Sequence, residues 1–137
     1  MTEANGIPVG LEVDWANRND MKLVRQTVES SPVQRPEPTP EHPQGMCLDK
    51  GYDFDEVREL LQEFGFTAHI RARGEEAQAI KRDAGFKARR WVVERTHSWM
   101  NRFRRILIRW DKHVENYIAL LHFACALVAL RAAGLLG

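Results

Sequence analysis

The chain has 137 residues, enough for one domain with its own hydrophobic core or for part of a larger domain. Its two cysteines, Cys47 and Cys125, lie within apolar runs, which argues against a disulfide framework and favours a reducing cytoplasm. The net charge is only +1, but residues 1–64 carry 6 basic and 13 acidic side chains, whereas residues 65–137 carry 14 and 6. An anionic partner is therefore expected to meet the second half.

The first 43 residues predict two short elements and a connector. Residues 6–13 have the composition of a strand, and residues 21–29 predict a helix capped by Asn19 or Asp20. Five prolines between positions 30 and 43 then prevent regular structure, so we predict a Pro-rich connector over about 30–44. A Pro-rich ligand for another protein is the alternative interpretation of this segment.

A βαβ unit is predicted next. Residues 46–48 form a short apolar strand that ends at Asp49, and Asp53 is expected to cap a helix that continues to about position 64. Gly65 stops that helix, and residues 66–70 form the second strand, parallel to the first. Asp49 would then lie at the carboxyl edge of the sheet, where open α/β sheets place their chemistry.

The most distinctive stretch is an arginine-rich helix predicted over about 88–108. It follows a polar loop that contains a short helix near 75–82. One face of the arginine-rich helix is apolar, and a second face carries basic and polar side chains with a single acid, Glu94. The apolar positions are Val92, Trp99, Phe103, Ile106 and Trp110.

An apolar helix is predicted over about 115–133. It has no polar face, so we expect it to pack in a core or against other parts of a larger protein. Its longest apolar run, residues 117–130, is shorter than the roughly 20 residues of a membrane span, and the amino terminus lacks the pattern of a signal peptide. We therefore predict no membrane association.

Glu94 and Asp49 are the candidate functional carboxylates. Glu94 either pairs with Arg90 or Ser98 on a solvated face, or serves as a metal-binding or acid/base group among phosphate-binding guanidiniums; periodicity alone does not choose. Taken by itself, Asp49 is weak evidence for a functional site, because an acid after a strand often caps the next turn. The histidines in or beside apolar runs are better explained by packing than by catalysis.

Three segments together resemble a known family. CLDKGYDFDEVRELL (residues 47–61), HIRARGEEA (69–77) and ARRWVVERTHSWMNRFRRILIRWDKHVENYIALLHFACALV (88–128) are similar to bacterial insertion-sequence transposases of the DDE type, in the insertion-sequence-four and -five superfamily. The resemblance extends over nearly the whole chain, because residues 6–13, 16–23 and the connector also look like that family's preceding segment.

The resemblance implies an α/β fold, specifically an incomplete ribonuclease-H-like fold: a short, partly parallel sheet flanked by helices, with long helices at the carboxyl end. Asp49 matches the second of three metal-binding carboxylates and Glu94 the third, with Mg²⁺ or Mn²⁺ as the implied cofactor. The implied DNA-binding residues are Arg90, Arg95, Arg102 and Arg105.

Three positions depart from the family pattern. Asn101 stands where a basic residue is usual, with Arg102 beside it, and Asn19 replaces the family's usual histidine. The family's first catalytic Asp lies upstream of the segment that matches residues 6–13, so we expect it to be missing here. Asp14 is not a substitute, because two strand spacings of roughly 4.8 Å would place it on the order of 10–15 Å from Asp49.

The expected function is DNA transposition. The chain resembles the carboxy-terminal part of a transposase catalytic domain, which cleaves phosphodiesters and transfers strands at transposon ends, and we expect it to be inactive alone. The alternative is a non-catalytic remnant that binds DNA or interacts with transposase. The expected partners are transposon ends and target DNA, together with a second copy of the chain or a full-length transposase. An upstream reading frame that encodes the missing Asp would favour the first hypothesis.

Overall fold

The computed structural model describes residues 1–14, 17–70 and 90–136, with the side chain of Arg90 left out. Two strands and five α-helices are described, together with 3₁₀ helices at Asp20–Leu23 and Lys50–Tyr52. The strands are β1, Gln44–Leu48, and β2, Phe66–Ile70. The helices are α1, Val24–Glu29; α2, Asp55–Glu63; α3, Arg90–Met100; α4, Arg104–Leu107; and α5, Val114–Ala132.

Backbone contacts divide the chain into two compact units. We name the units by their place along the sequence. The outer unit contains residues 1–13, 27–33 and 90–137, and the central unit contains residues 14–26 and 34–89. The predicted loop and short helix between residues 71 and 85 lie outside the described residues. The described residues thus form a mixed α/β structure, which is compatible with a ribonuclease-H-like domain.

The central unit contains the predicted βαβ unit. β1 and β2 are parallel and in register from Gln44 opposite Phe66 to Leu48 opposite Ile70. Side chains alternate between half-buried and exposed along both strands, as expected for a sheet with one packed face. α2 covers that face with Leu61, which is fully buried and clusters with Val24 and Val57. Burial of this apolar cluster supplies the main driving force for folding of the unit.

Two details of the βαβ unit decide where its helix begins and ends. The prediction that Asp53 caps α2 is wrong: Phe54 occupies the N-cap position, and Asp53 instead pairs with Arg58 at 2.6 Å. Gly65 does end the helix, because it adopts the left-handed region at φ 75°, which glycine enters without a steric penalty.

The Pro-rich connector is held to the central unit by Arg35. No helix or strand occurs between residues 30 and 43, as predicted. The Arg35 guanidinium donates to the Phe64 carbonyl at 2.9 Å and to Gln44 Oε1 at 3.0 Å, and it lies 4.0 Å from the centre of the Phe66 ring. Hydrogen bonds together with a cation–π contact hold the Arg35 side chain in place, so the connector packs against the central unit.

In the outer unit the predicted strand over residues 6–13 is absent. Thr2 and Pro8 form an isolated antiparallel bridge, and the backbone of this segment is satisfied locally, with the Ile7 N–H bonded to the Glu3 carboxylate at 3.0 Å. Gly6 adopts φ 85°, outside the strand region. The strand composition was therefore overridden by a local turn.

The predicted arginine-rich helix is two helices rather than one. α3 ends at Met100 with 3₁₀-type bonds from the N–H groups of Arg102 and Phe103 to carbonyls three residues back. Phe103 is extended, at φ −94° and ψ 97°, and α4 starts after it. Asparagine at position 101 has low helix propensity, which helps the chain to turn here. The residues predicted to share a face on either side of this turn are no longer aligned.

α5 agrees with the helix predicted over about 115–133, but it is not buried all round. Leu121, Ala124 and Val128 are buried, at a spacing of three and four residues, and α5 contacts α3 and α4. On the opposite side of the helix lies an exposed stripe, in which Phe123 is 62% exposed. Its members are Ala119, His122, Phe123, Ala126 and Leu130. Among the described residues, α5 is long and apolar enough to cross a membrane, judged by length and composition alone, with a mean hydropathy of 1.4. The absence of a membrane span stays a prediction.

Candidate functional site

Asp49 follows β1 directly, at the carboxyl end of the parallel pair. Its Oδ1 accepts a hydrogen bond from the Gly51 N–H at 2.8 Å and caps the 3₁₀ helix, and its side chain is exposed. A Cβ on residue 51 would stand only 3.0 Å from that oxygen, so glycine allows the turn to close. The carboxylate is thus oriented by its own turn and open to solvent. Both the capping interpretation and the functional one are compatible with this geometry.

Tyr52 belongs to the same site and was missed by the sequence analysis. Burial raises the pKa of its phenol, and the charges of Asp20 and Asp49 raise that pKa further. Asp20 opens the 3₁₀ helix Asp20–Leu23, which contacts the Lys50–Tyr52 turn. A second carboxylate therefore lies within electrostatic range of the Asp49 turn. The two 3₁₀ helices that bring Asp20 and Tyr52 together are about 30 positions apart in the sequence, and no local sequence pattern predicts that they meet.

Glu94 lies on α3 in the outer unit, whereas Asp49 lies in the central unit, and each unit is described by itself. Glu94 is exposed, and no hydrogen bond joins it to Ser98 within the part of the chain that the structure describes. The side chain of Arg90 lies outside that description. Within residues 1–14, 17–70 and 90–136, no three His, Cys, Asp or Glu side chains converge as a metal site. Exposed carboxylates are the ligand type that Mg²⁺ prefers, so Asp49 and Glu94 fit the implied cofactor in kind.

The predicted DNA-binding arginines occupy different surroundings. Arg95 lies over two indole rings, 5.0 Å from Trp91 and 5.4 Å from Trp99, and donates to the Asn5 carbonyl at 3.3 Å. Arg102 is exposed in the turn after α3. Arg105 is 69% exposed on α4, with a guanidinium nitrogen 3.7 Å from Asp111. Arg102 and Arg105 are therefore accessible to a phosphate, while Arg95 is already engaged on the protein surface.

Comparison with known proteins identifies similar sequences. A family described as "Transposase DDE domain" matches residues 46–131. The chain is also 32% identical, over 131 residues, to a protein of Burkholderia cepacia described as "Putative transposase for insertion sequence element IS402". That alignment covers 93% of this chain and 59% of the relative, so the chain spans somewhat more than half of the relative's length. No solved structure matches significantly.

Proposed function

Because this chain belongs to the transposase DDE domain family, we propose that it serves DNA transposition and contributes two carboxylates, Asp49 and Glu94, to a ribonuclease-H-like catalytic domain. The reaction is metal-dependent phosphodiester cleavage and strand transfer at transposon ends. Bound Mg²⁺ or Mn²⁺ ions would activate the attacking oxygen and stabilise the leaving oxygen. Asp49 and Glu94 are the residues of this chain that would hold them.

The position of Asp49 is the observation that carries this proposal. It lies within the family match, immediately after a parallel strand, with an exposed and oriented carboxylate. The carboxyl ends of parallel strands are where α/β folds place ligands and reacting groups. Glu94 lies within the same match, on a helix whose neighbouring residues are rich in arginine. A carboxylate and a surrounding cationic surface are the two features that metal-assisted chemistry on DNA requires.

In this proposal, residues 1–137 supply only two of the three carboxylates of the catalytic site. Two carboxylates leave a divalent ion short of one protein ligand, and two-metal chemistry needs ions about 3.5–4 Å apart. The third ligand, the family's first Asp, comes from outside these residues. The alignment covers 59% of the relative, so a whole transposase has room for a further segment that could carry this ligand.

Nicking of labelled transposon-end DNA tests the proposal. We expect residues 1–137 with Mg²⁺ to show no cleavage, because a misplacement of about 1 Å already costs around 10²-fold in rate. Addition of the upstream segment with its Asp should produce metal-dependent nicking. Asp49→Asn and Glu94→Gln should each abolish that activity and leave DNA binding intact, while Asp53→Asn, at an exposed acid in an ion pair, should keep it.

Two results would contradict the proposal. Nicking by residues 1–137 alone that is lost in both Asp49→Asn and Glu94→Gln would show that the site is complete without an upstream Asp. Retention of the restored activity in either variant would remove that carboxylate from the site.

A non-catalytic role is the second candidate, and the exposed stripe of α5 is the observation that favours it. Such a chain would bind DNA or pair with a full-length transposase through apolar contacts, since large exposed apolar surface marks interaction sites. Inhibition of an intact transposase by the chain, without nicking in any combination of segments, would support this alternative.

A further inference from the structure

Trp110 is the most exposed large hydrophobic side chain in the part of the chain that the structure describes, at 75%. The predicted helix would have buried it on an apolar face. Instead α4 ends at Leu107, and Ile108 is extended at φ −126° and ψ 113°, so the chain leaves the helix before Trp110 is reached. An indole left in water forgoes much of the free energy that its burial would release. This exposure therefore needs a functional explanation.

The backbone around Trp110 is anchored on both sides. On the preceding side the Arg109 guanidinium lies 5.6 Å from the centre of the Tyr117 ring, and the Tyr117 hydroxyl donates to the Ile106 carbonyl at 3.3 Å. On the following side the Asp111 carbonyl accepts from Arg109 Nε at 3.2 Å. The indole thus projects from a loop with fixed neighbours. Because these contacts already order the backbone that carries the indole, binding of a ligand costs little further backbone entropy.

The surroundings of this indole are cationic. Residues 101–113 contain five basic side chains and a single acid, Asp111. The Asp111 carboxylate lies 3.7 Å from Arg105 and offsets one of these charges, so the stretch keeps a net charge of +4. The basic residues are Arg102, Arg104, Arg105, Arg109 and Lys112. The expected ligand therefore combines negative charge with a flat apolar face.

We infer that Trp110 is a stacking site for an unpaired nucleobase, with Arg104 and Arg105 placed to bind the adjoining phosphates. This inference rests on the proposed function, because it specifies which form of DNA the chain prefers. Bases inside a duplex are already stacked on both faces, so an indole can receive only a base that has left the helix or lies in a single strand.

A protein partner fits the same surface less well. Leu107 and Ile108 are also exposed, at 59% and 56%, and could contact another chain. Arginine and tryptophan both occur in protein interfaces, but a protein partner would have to place carboxylates opposite the several guanidiniums that lie within a few positions of the indole in sequence. Covering the indole with protein would require those charges to be desolvated. Nucleic acid neutralises them instead.

The test compares two substitutions of Trp110 on two DNA forms. Residues 1–137, Trp110→Ala and Trp110→Phe are titrated with a single-stranded oligonucleotide and with a blunt duplex of the same sequence. We expect Trp110→Ala to weaken single-strand binding by roughly 5- to 150-fold, the value of one base–aromatic stack. Duplex binding should change by no more than about twofold, because it depends on phosphates. Trp110→Phe should keep most of the single-strand affinity, and far-UV circular dichroism should show both variants folded.

Two further measurements distinguish a failure of this inference from a failure of the proposed function. Single-stranded DNA should quench tryptophan fluorescence in the unsubstituted chain, and Trp110→Phe should lose much of that quenching while still binding. The double variant Arg102→Ala/Arg105→Ala should weaken both DNA forms alike. The inference is overturned if Trp110→Ala weakens both forms equally, leaves both unchanged, or alters only sedimentation. Failure of the unsubstituted chain to bind either DNA form would overturn DNA binding itself.

Discussion

At the scale of single residues, the phenol of Tyr52 reports the charge of the proposed catalytic carboxylate. Burial is the largest cause of its raised pKa, followed by the charges of Asp20 and Asp49. All three residues belong to the central unit. Because the folded state holds this proton more tightly than the unfolded chain does, the associated stability is fully present below the phenol's ordinary pKa of 10.0. It is lost as the pH rises through the higher folded-state pKa.

We expect Asp49→Asn to lower the pKa of Tyr52, because the substitution removes a negative charge that opposes formation of the phenolate. The pKa should remain above 10.0, since burial is unaffected. Ultraviolet titration in a Tyr117→Phe background measures Tyr52 alone, as the chain has two tyrosines. The control is Asp53→Asn, at an acid that does not contribute to the raised pKa. An equal effect of both substitutions would show that Asp49 is not oriented towards the phenol.

At the scale of elements, the amino-terminal segment is fastened to α3 within the outer unit. Thr96, which is buried, donates from its hydroxyl to the Gly6 carbonyl at 2.5 Å. Gly6 is at φ 85°, and a Cβ there would stand 3.0 Å from the Val92 carbonyl oxygen. Backbone conformation and close approach therefore both require glycine at this position.

Gly6→Ala should destabilise the outer unit. The left-handed backbone costs an alanine roughly 1–2 kcal/mol, and the contact with α3 adds to that. Gly134→Ala is the matched control, because Gly134 is at φ 71° with nothing within 4 Å of its Cβ position. Urea unfolding followed by tryptophan fluorescence should show Gly6→Ala less stable than the control by about 1 kcal/mol. Equal midpoints would mean that α3 moves aside without cost.

Elements defined by local patterns were predicted well from sequence. The βαβ unit follows from short apolar strands, an amphipathic helix and Gly65, and the bounds of β2 were predicted to the residue. Asp49 could be placed at the sheet edge for the same reason. The break after Met100 could not be predicted, since the apolar spacing continues through it. Nor could the effect of the Asp20 charge on the pKa of Tyr52 or the loss of the strand over residues 6–13 be predicted, because both depend on tertiary contacts that no local period encodes.

At the scale of the whole molecule, we expect the exposed stripe of α5 to drive association. Its members repeat at helical spacing along the side opposite the buried residues, and all but His122 are apolar. They are Ala119, His122, Phe123, Ala126 and Leu130. An apolar stripe in water favours self-association or binding to a larger protein.

We expect residues 1–137 alone to sediment as an oligomer or to precipitate, and Phe123→Glu to shift them towards monomer. Placing a carboxylate in an apolar contact is unfavourable because the charge must be desolvated. Gln62→Glu, at an exposed position of α2, adds the same charge elsewhere and should leave association unchanged. A compact monomer of the unsubstituted chain in analytical ultracentrifugation would contradict the prediction.

The hydrogen bond between Thr96 and Gly6 also imposes an order on synthesis. Its two residues are 90 positions apart, so at about 5–20 residues per second the ribosome delivers Thr96 roughly 5–20 s after Gly6. Both strands of the central unit and the helix between them leave the ribosome within that interval. The segment around Gly6 therefore leaves the ribosome well before its partner on α3 is available. During those seconds its apolar side chains are open to any chaperone or neighbouring chain that meets them.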